Sequence, residues 1–394
     1  MAARLMTYGR NILLLSIIFV LSSLAHNLIT PFWPIYIRSL GASMTELGYV
    51  FSISNAISAL LQVPSGMISD KYGRRKLHIF GTLVGIFPPL LYTLVKSWVE
   101  LIPWVILSGI ATGLYLPIRW SIVADDSTNQ TRAMAYSWVN VAMFIGPTIA
   151  PSIGGILADV YGIHAPFLAC FLLLAATFPL ALLLHETRRK KSFDESADVA
   201  TDGRSKSSLL SAILLFGLIN VLQGFNVGIF SPITPVFVKE RFPLDLTVIG
   251  LLYAVGFGLA SVLVQVPGGW LADKYDRRKV LVATFALSSP FFSIFALSQS
   301  IVELFVYMFL SNAIFNLSWP AFQALLMDLT PHTKWGLVNG LSTTTFWIGM
   351  TIGSTAGGVL WDAFGMFIPY HVSALAMLLS VVPALFLKDP RRSG

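Results

Sequence analysis

Apolar residues along this chain come in long unbroken runs, without the two-residue alternation of a strand or the single stripe of a surface helix. A bilayer core asks for ~20 apolar residues per spanning helix. Runs of that length occupy residues 11–37, 45–68, 77–96, 101–124, 133–157 and 166–184. After a polar gap they return at 208–237, 248–271, 280–298, 301–327, 335–361 and 370–387. The pattern predicts an all-α membrane protein with twelve transmembrane helices. Pro and Gly inside the runs fit this reading, because neighbouring helices re-satisfy the backbone groups they free. The first run exceeds the ~7–15 apolar residues of a signal-peptide core, so it is expected to remain as a spanning helix.

The gap is the stretch HETRRKKSFDESADVATDGRSKS, whose one aromatic is Phe193. Such a segment cannot bury a core. It divides the chain into an N-terminal bundle of six helices at 1–184, a cytoplasmic linker at 185–207 and a C-terminal bundle at 208–394.

Charge then orients the helices. Charged residues make up 11% of the chain and hydrophobic ones 55%, against roughly 25% charged in soluble domains. The net charge of +7 sits in short clusters between apolar runs. With both termini inside, 21 of the 26 Lys and Arg fall on the inner side; Arg38, Lys96, Lys239 and Arg241 fall outside, and Arg119 lies within a span. This bias expects a multi-pass protein of the cell membrane with cytoplasmic termini, in contact with lipid and not with nucleic acid. The lone Cys170 rules out an internal disulfide or a multi-cysteine metal site. No G-x4-G-K-[ST] loop is present, so ATP-driven pumping is disfavoured, and no catalytic constellation stands out. Neither a metal nor a cofactor is expected, and a monomer is the expected state.

The chain also repeats itself. Residues 60–76 read LLQVPSGMISDKYGRRK and residues 263–279 read LVQVPGGWLADKYDRRK, identical at eleven of seventeen positions. The same offset of 203 carries Pro117 to Pro320, Asp125 to Asp328, Gly146 to Gly349, Asp159 to Asp362 and Pro166 to Pro369. Six spans return the chain to its starting side, so the halves are parallel repeats with a substrate site expected at their interface.

The loop after the second span, Gly66-x3-Asp70-Lys71-x-Gly73-Arg74-Arg75, resembles the signature loop of the major facilitator superfamily. Its copy is Gly269-x3-Asp273-Lys274-x-Asp276-Arg277-Arg278. The resemblance implies two pseudo-symmetric six-helix bundles that work by alternating access. Span 1 holds Pro31-Phe32-Trp33-Pro34, and span 5 holds Gly146-Pro147-x2-Ala150-Pro151-x2-Gly154-Gly155. Both are similar to motifs of the drug:proton antiporter branch, although small residues also serve close packing in any membrane bundle. By the same resemblance Asp70 faces the N-terminus of the eleventh helix, near Trp335–Val338. Arg74 pairs with Asp125; Asp273, Arg277 and Asp328 do the same in the second half. Gly66 is expected at a close helix approach, and Asp276 in a left-handed turn where the motif asks for Gly. The bland reading of the basic residues is topology anchoring.

In the family, helices 1, 4, 7 and 10 line the cavity. Asn and Gln are costly against lipid, and spans 3, 6, 9 and 12 contain none. Candidate substrate-binding residues are His26, Asn27, Thr30 and Trp33 in span 1; Tyr115 and Arg119 in span 4; Trp138 and Asn140 in span 5; and Asn220, Gln223 and Asn226 in span 7. Span 10 adds Asn312, Asn316, Trp319 and Gln323, and span 11 adds Thr344 and Trp347. Any one Asn or Gln can instead be interhelical hydrogen-bond glue.

All nineteen Asp and Glu lie in loops or near helix ends, and the branch's usual Arg in span four is replaced by Trp104-Val105-Ile106. Both depart from the embedded-acid pattern of proton-coupled drug exporters. His26, with an ordinary pKa near 6.5, is a candidate proton carrier or a neutral hydrogen-bonded residue. Arg119 is a candidate for an anionic substrate, for the inner mouth, or for snorkelling to the headgroups. The first functional reading is a proton-coupled exporter of small amphipathic molecules; the alternative is a facilitator or symporter for a neutral polar solute such as a sugar. A membrane receptor that transports nothing is disfavoured by the gating loop in both halves.

Overall fold

Twelve helices follow in the expected order. The computed structural model describes residues 10–126, 132–186, 206–330, 335–387 and 389, with side-chain surroundings left aside at 70, 116, 120, 124–126, 132–142, 206–209 and 335–337. The first half has α1 Arg10–Ser39, α2 Met44–Tyr72, α3 Arg74–Tyr92, α4 Ile102–Asp126, α5 Arg132–Tyr161 and α6 Ala165–Leu182. The second has α7 Lys206–Arg241, α8 Leu246–Lys274, α9 Arg277–Phe295, α10 Ile301–Asp328, α11 Trp335–Phe364 and α12 Ile368–Phe386. Among the described residues ten of these are long and apolar enough to cross a membrane. The other two are α3, which opens on Arg74-Arg75-Lys76, and α11, which carries several Thr and Ser. α11 can afford them because it packs between α2 and α7. The side from which α1 starts is called proximal below, and the opposite side distal.

One packing scheme is used twice. In the first half α1 packs on α5 and α6, α2 on α4, and α3 on α4 and α6. In the second half α7 packs on α11 and α12, α8 on α10, and α9 on α10 and α12. The halves meet along two antiparallel pairs, α2 with α11 and α5 with α8. Each half also closes its distal corner with aromatic rings. Trp33 sits 4.3 Å from Tyr92 and Tyr36 sits 5.0 Å from Phe167, centroid to centroid. At the offset of 203, Tyr92 becomes Phe295 and Phe167 becomes Tyr370, which lie 5.7 Å apart. Such pairs add ~0.5–1.5 kcal/mol each beyond the area they bury.

α5 lies against α1, and α11 against α7, through backbone contacts that leave no room for a side chain. A Cβ on Gly146 would stand 2.4 Å from the Ser23 carbonyl carbon, and one on Gly349 2.2 Å from the Val221 oxygen. Among the described residues nothing stands within 4 Å of a Cβ placed on Gly66 or its copy Gly269, so none of them makes the close approach expected at Gly66. Gly349→Val is therefore expected to lower stability by about 1–3 kcal/mol through overpacking, while Gly66→Ala stays within about 0.5 kcal/mol. Thermal midpoints of the purified protein in detergent check both.

Candidate functional site

Between the halves lies a cavity of about 140 Å3. Its walls come from α1, α5, α7, α8, α9 and α10. Polar groups reach it from Asn27, Thr30, Asn226, Ser231, Tyr253 and Asn312, and the rings of Phe230, Phe257, Phe292 and Phe315 supply much of the rest. Among the described residues no charged side chain lines it.

Most of these polar groups are already engaged. Asn27 Nδ2 donates to the Ser23 carbonyl at 2.8 Å, Thr30 Oγ1 to that of His26 at 2.9 Å, and Asn312 Nδ2 to that of Met308 at 2.9 Å. Asn226 Nδ2 donates across to Ser373 Oγ on α12 at 2.7 Å. Two buried atoms keep an unused valence: Asn226 Oδ1 and the Tyr253 hydroxyl have no hydrogen-bond partner. They are the groups best placed to meet a polar atom of a bound molecule.

Other candidates fall elsewhere. Asn220 donates to Ser342 Oγ at 2.6 Å and so joins α7 to α11; with Asn226 it acts as interhelical glue. Gln223 is buried with its Nε2 unpartnered, outside this cavity. Trp33 belongs to the distal aromatic cluster. Asn316 donates to the Asn312 carbonyl, and Trp319 is half exposed and stacked on Phe322, so the expected face of α10 reaches the cavity only at Asn312. Gln323 on α10 is partly buried. Thr344 donates to the Gly340 carbonyl and Trp347 is partly buried. Trp138 and Asn140 lie outside the described side chains. Tyr115 and Arg119 stack on each other below the cavity, at 4.2 Å.

The sequence reading missed Tyr253 and Phe257. Tyr253 precedes, and Phe257 lies within, a π-helical turn at Ala254–Leu259 in α8, a feature common at functional sites. Gly256 and Gly258, packed against Met308 and Pro147, were the available signal.

Distally, two helix ends of each kind are locked together. The first amides of an α-helix have no partner within it. At α2, Ser43 and Glu46 form a capping box. The amides of Met44 and Thr45 donate to the two oxygens of Asp362, at 3.3 and 2.7 Å. At α8, the amides of Leu246 and Thr247 donate to Asp159 at 3.0 and 2.8 Å, and the Thr247 hydroxyl adds a third bond at 2.7 Å. Asp159 ends α5 and Asp362 ends α11, so each carboxylate caps a helix of the other half. Glycines bring the backbones this close: a Cβ on Gly155 would stand 2.6 Å from the Leu246 oxygen, and one on Gly358 2.1 Å from the Met44 oxygen. Arg38 adds an ion pair to Glu240 at 3.2 Å, with both side chains more than a third exposed, so it contributes little. These contacts join the two halves on the distal side.

The family model described as Major Facilitator Superfamily matches residues 15–222 and 216–394. The chain belongs to the major facilitator superfamily. It is similar to the multi-drug resistance efflux pump PmrA of Streptococcus pneumoniae, with 24% identity over 90% of each chain. It is also similar to multidrug resistance protein 2 of Bacillus subtilis, with 25% identity over 97% of this chain and 96% of that one. Among solved structures a D-xylose–proton symporter matches with a TM-score of 0.77 at 13% identity, over 97% of this chain and 98% of the other. The human organic anion transporter MFSD10 matches with a TM-score of 0.67 at 17% identity, over 95% and 99%. At these identities the structural likenesses show the fold alone.

Membership in the major facilitator superfamily makes the chain a membrane transport protein and not an enzyme. It also gives the proximal loops their context. Gly73 takes φ +102°, a region that favours glycine. The Arg74 amide donates to Glu186 Oε1 at 2.9 Å and its guanidinium to the Ser121 carbonyl at 2.7 Å; Arg75 reaches the Leu182 carbonyl at 2.8 Å. In the second copy the Arg277 guanidinium pairs with Asp328 as the resemblance implied, and its amide donates to Asp389 Oδ2 at 2.9 Å. Glu186 and Asp389 are themselves 203 apart, a correspondence the sequence reading passed over. Asp276 corrects the expected left-handed turn: its φ is −62°, and its side chain caps α9 by accepting from the Lys279 amide at 3.3 Å. Lys71 lies over the Tyr72 ring and Lys274 over that of Trp270, Asp273 is exposed and Arg278 partly buried. The side chains of Asp70, Asp125 and Trp335, and with them the inner contacts of Asp70 and Asp125, lie outside the described residues.

In span 5 the antiporter-type motif divides by face. Gly146 and Gly154 press on α1, at Ser23 and Leu28. Pro147, Pro151 and Gly155 meet Gly258, Gly250 and Leu246 of α8. The motif thus forms much of the contact between the halves, and its two prolines line the cavity.

Each distal carboxylate is worth ~0.3–1 kcal/mol to the joined face. Removing both charges, in Asp159→Asn with Asp362→Asn, is expected to shift the balance by about 1.4 kcal/mol and raise the distally open population about tenfold. A cysteine at Ser231 in a Cys170→Ala background, labelled from the distal side of sealed vesicles by an impermeant maleimide, reads that population as a rate.

Proposed function

We propose that this chain is a proton-coupled exporter of amphipathic small molecules. The observation that carries the reading is the central cavity. It is walled by aromatic and aliphatic side chains with a few fixed polar groups, and the halves around it are joined on the distal side by bonds a rocking motion breaks two at a time. A sugar site would present more hydrogen-bonding groups than two unpartnered atoms, which weighs against the neutral-solute alternative. The similarity to the multi-drug resistance efflux pump of Streptococcus pneumoniae and to a multidrug resistance protein of Bacillus subtilis supports the exporter.

In this reading the bundles at 1–184 and 208–394 move as bodies about the α2–α11 and α5–α8 contacts, joined by a cytoplasmic linker at 185–207. The protein works as a monomer in the cell membrane with both termini in the cytoplasm, so the distal face is the outer one. The resting form described is then open-capable toward the cytoplasm, where an exporter loads.

His26 is the coupling residue. Its Nδ1–H donates to the Ser22 carbonyl at 2.7 Å, which leaves the lone pair on Nε2. A proton taken up there adds a charge without breaking that bond. The site stands one turn from Thr30, in the cavity wall.

Flux of a lipophilic dye from proteoliposomes is expected to rise several-fold when an inward proton gradient is imposed, and the rise is expected to vanish in His26→Gln. Equal flux with and without the gradient would refute proton coupling, and a gradient response that survives in His26→Gln would remove His26 from it.

A further inference from the structure

Among the described residues the cavity wall carries no charge, yet one charge lies just beneath it. Arg119 is 4% exposed, deep in α4. Its Nη2 donates to Ser22 Oγ at 3.1 Å, and its Nε has no partner. Its guanidinium carbon sits 4.2 Å from the Tyr115 ring centre and 5.1 Å from that of Phe19. Among the described residues no carboxylate reaches it.

The direction of the side chain matters. Tyr115 is one turn N-terminal to Arg119 on the same face, so the stack shows the side chain folding back toward the start of α4. That is away from Asp125 and Asp126 at the proximal end, and toward the cavity. Arg119 is therefore neither snorkelling to the headgroups nor paired with the inner acids. On α1 the residues Phe19, Ser22, His26 and Thr30 follow at helical spacing along one face. Arg119 touches the first two, and Thr30 lines the cavity ~12 Å above Ser22. His26 and His78 both lie within electrostatic reach of Arg119, and both ring nitrogens of the buried His78 lack partners. Proximal to the cavity, the surroundings of Arg119 thus gather hydrogen-bond donors and one fixed positive charge, and among the described residues no carboxylate balances it.

A guanidinium packed against two rings points its N–H groups outward in its own plane, and here Nε is left without a partner. That arrangement presents a fork to a carboxylate. A cation would meet repulsion in the same place, at low dielectric. We infer that Arg119 is an anion-recognition site at the proximal end of the cavity, and that the substrates are amphipathic organic anions, carboxylates first. The inference rests on the exporter reading above and names its substrate class.

Three probes of one shape and different charge test this: 1-naphthylacetate, 1-naphthylacetamide and 1-naphthylmethylammonium, titrated calorimetrically into the full chain in detergent at pH 7. The carboxylate is expected to bind about tenfold more tightly than the amide, and the ammonium more weakly than either. Arg119→Gln is expected to bring carboxylate and amide to equal affinity, and Arg119→Lys to keep part of the preference. If Arg119→Gln does not fold, the order of the three probes on the wild type and on Arg119→Lys decides. A tenfold preference that survives in Arg119→Gln, or a wild type that favours the ammonium, overturns the anion site while leaving an exporter. Binding of none of the three overturns both readings.

Discussion

A helix that ends at a membrane surface leaves its first amide groups without partners, and in this protein the partners for two such ends are supplied by the opposite half. The amides that open α2 are held by Asp362 at the end of α11, and those that open α8 by Asp159 at the end of α5. The pairs are antiparallel, so the C-terminus of one helix lies beside the N-terminus of the other, and a carboxylate there meets the positive end of a helix dipole. The contact depends in turn on backbone approach at Gly155 and Gly358. Without that approach the carboxylates would stand too far away to accept two amides each. The joined distal face is thus a property of four helices and two acids.

The strength of these contacts suits a gate. A carboxylate on a helix end near water contributes ~0.3–1 kcal/mol, because water takes its place when it leaves. Two such caps and an exposed ion pair hold one face together firmly enough to bias the population, and weakly enough that binding of a small molecule can reverse it. A buried ion pair in the same place would be harder to open, since breaking it strands charges in low dielectric. The Arg277–Asp328 pair at the proximal loop joins two helices of the same half and is not broken by relative motion of the halves.

The twelve spans and the duplication were legible because both rest on long-range regularities: run length against bilayer thickness, and one constant offset. The Arg277–Asp328 pair followed from the family resemblance of the signature loop, carried to the second half by the same offset. The individual site residues were harder to place. Asn220 read as a cavity polar group, but a polar side chain in a bundle is as well satisfied by a neighbouring helix, here through Ser342, while Asn226 both lines the cavity and bonds Ser373. Gly66 read as a packing glycine, but no described residue stands within 4 Å of a Cβ placed there, and the tight contacts fall on the glycines of α5 and α11. Asp276 read as a left-handed turn residue because its counterpart is Gly73; Asp can end one helix by capping the next, which glycine cannot do with a side chain. Tyr253 carried no signal, since a tyrosine in an apolar run looks like any other aromatic until its hydroxyl is found buried and unpartnered.

The offset of 203 also separates what the duplication keeps from what it discards. Asp159 and Asp362, Arg74 and Arg277, and Glu186 and Asp389 all correspond, and all of them cap or brace helix ends. The cavity residues do not correspond. Where one half has Arg119 the other has Phe322, buried against Phe216 at 5.2 Å; where the second half has Asn312 the first has Gly109; and Tyr253 stands opposite Val50. A frame that opens to either side by one rocking motion needs equivalent joints in both halves, so a change at one joint unbalances the motion. A substrate has no two-fold axis, and nothing in the motion requires the two walls of its site to match. The apolar wall therefore comes mainly from the second half, while the buried Arg119 beside it belongs to the first, an asymmetry that the symmetric frame lacks.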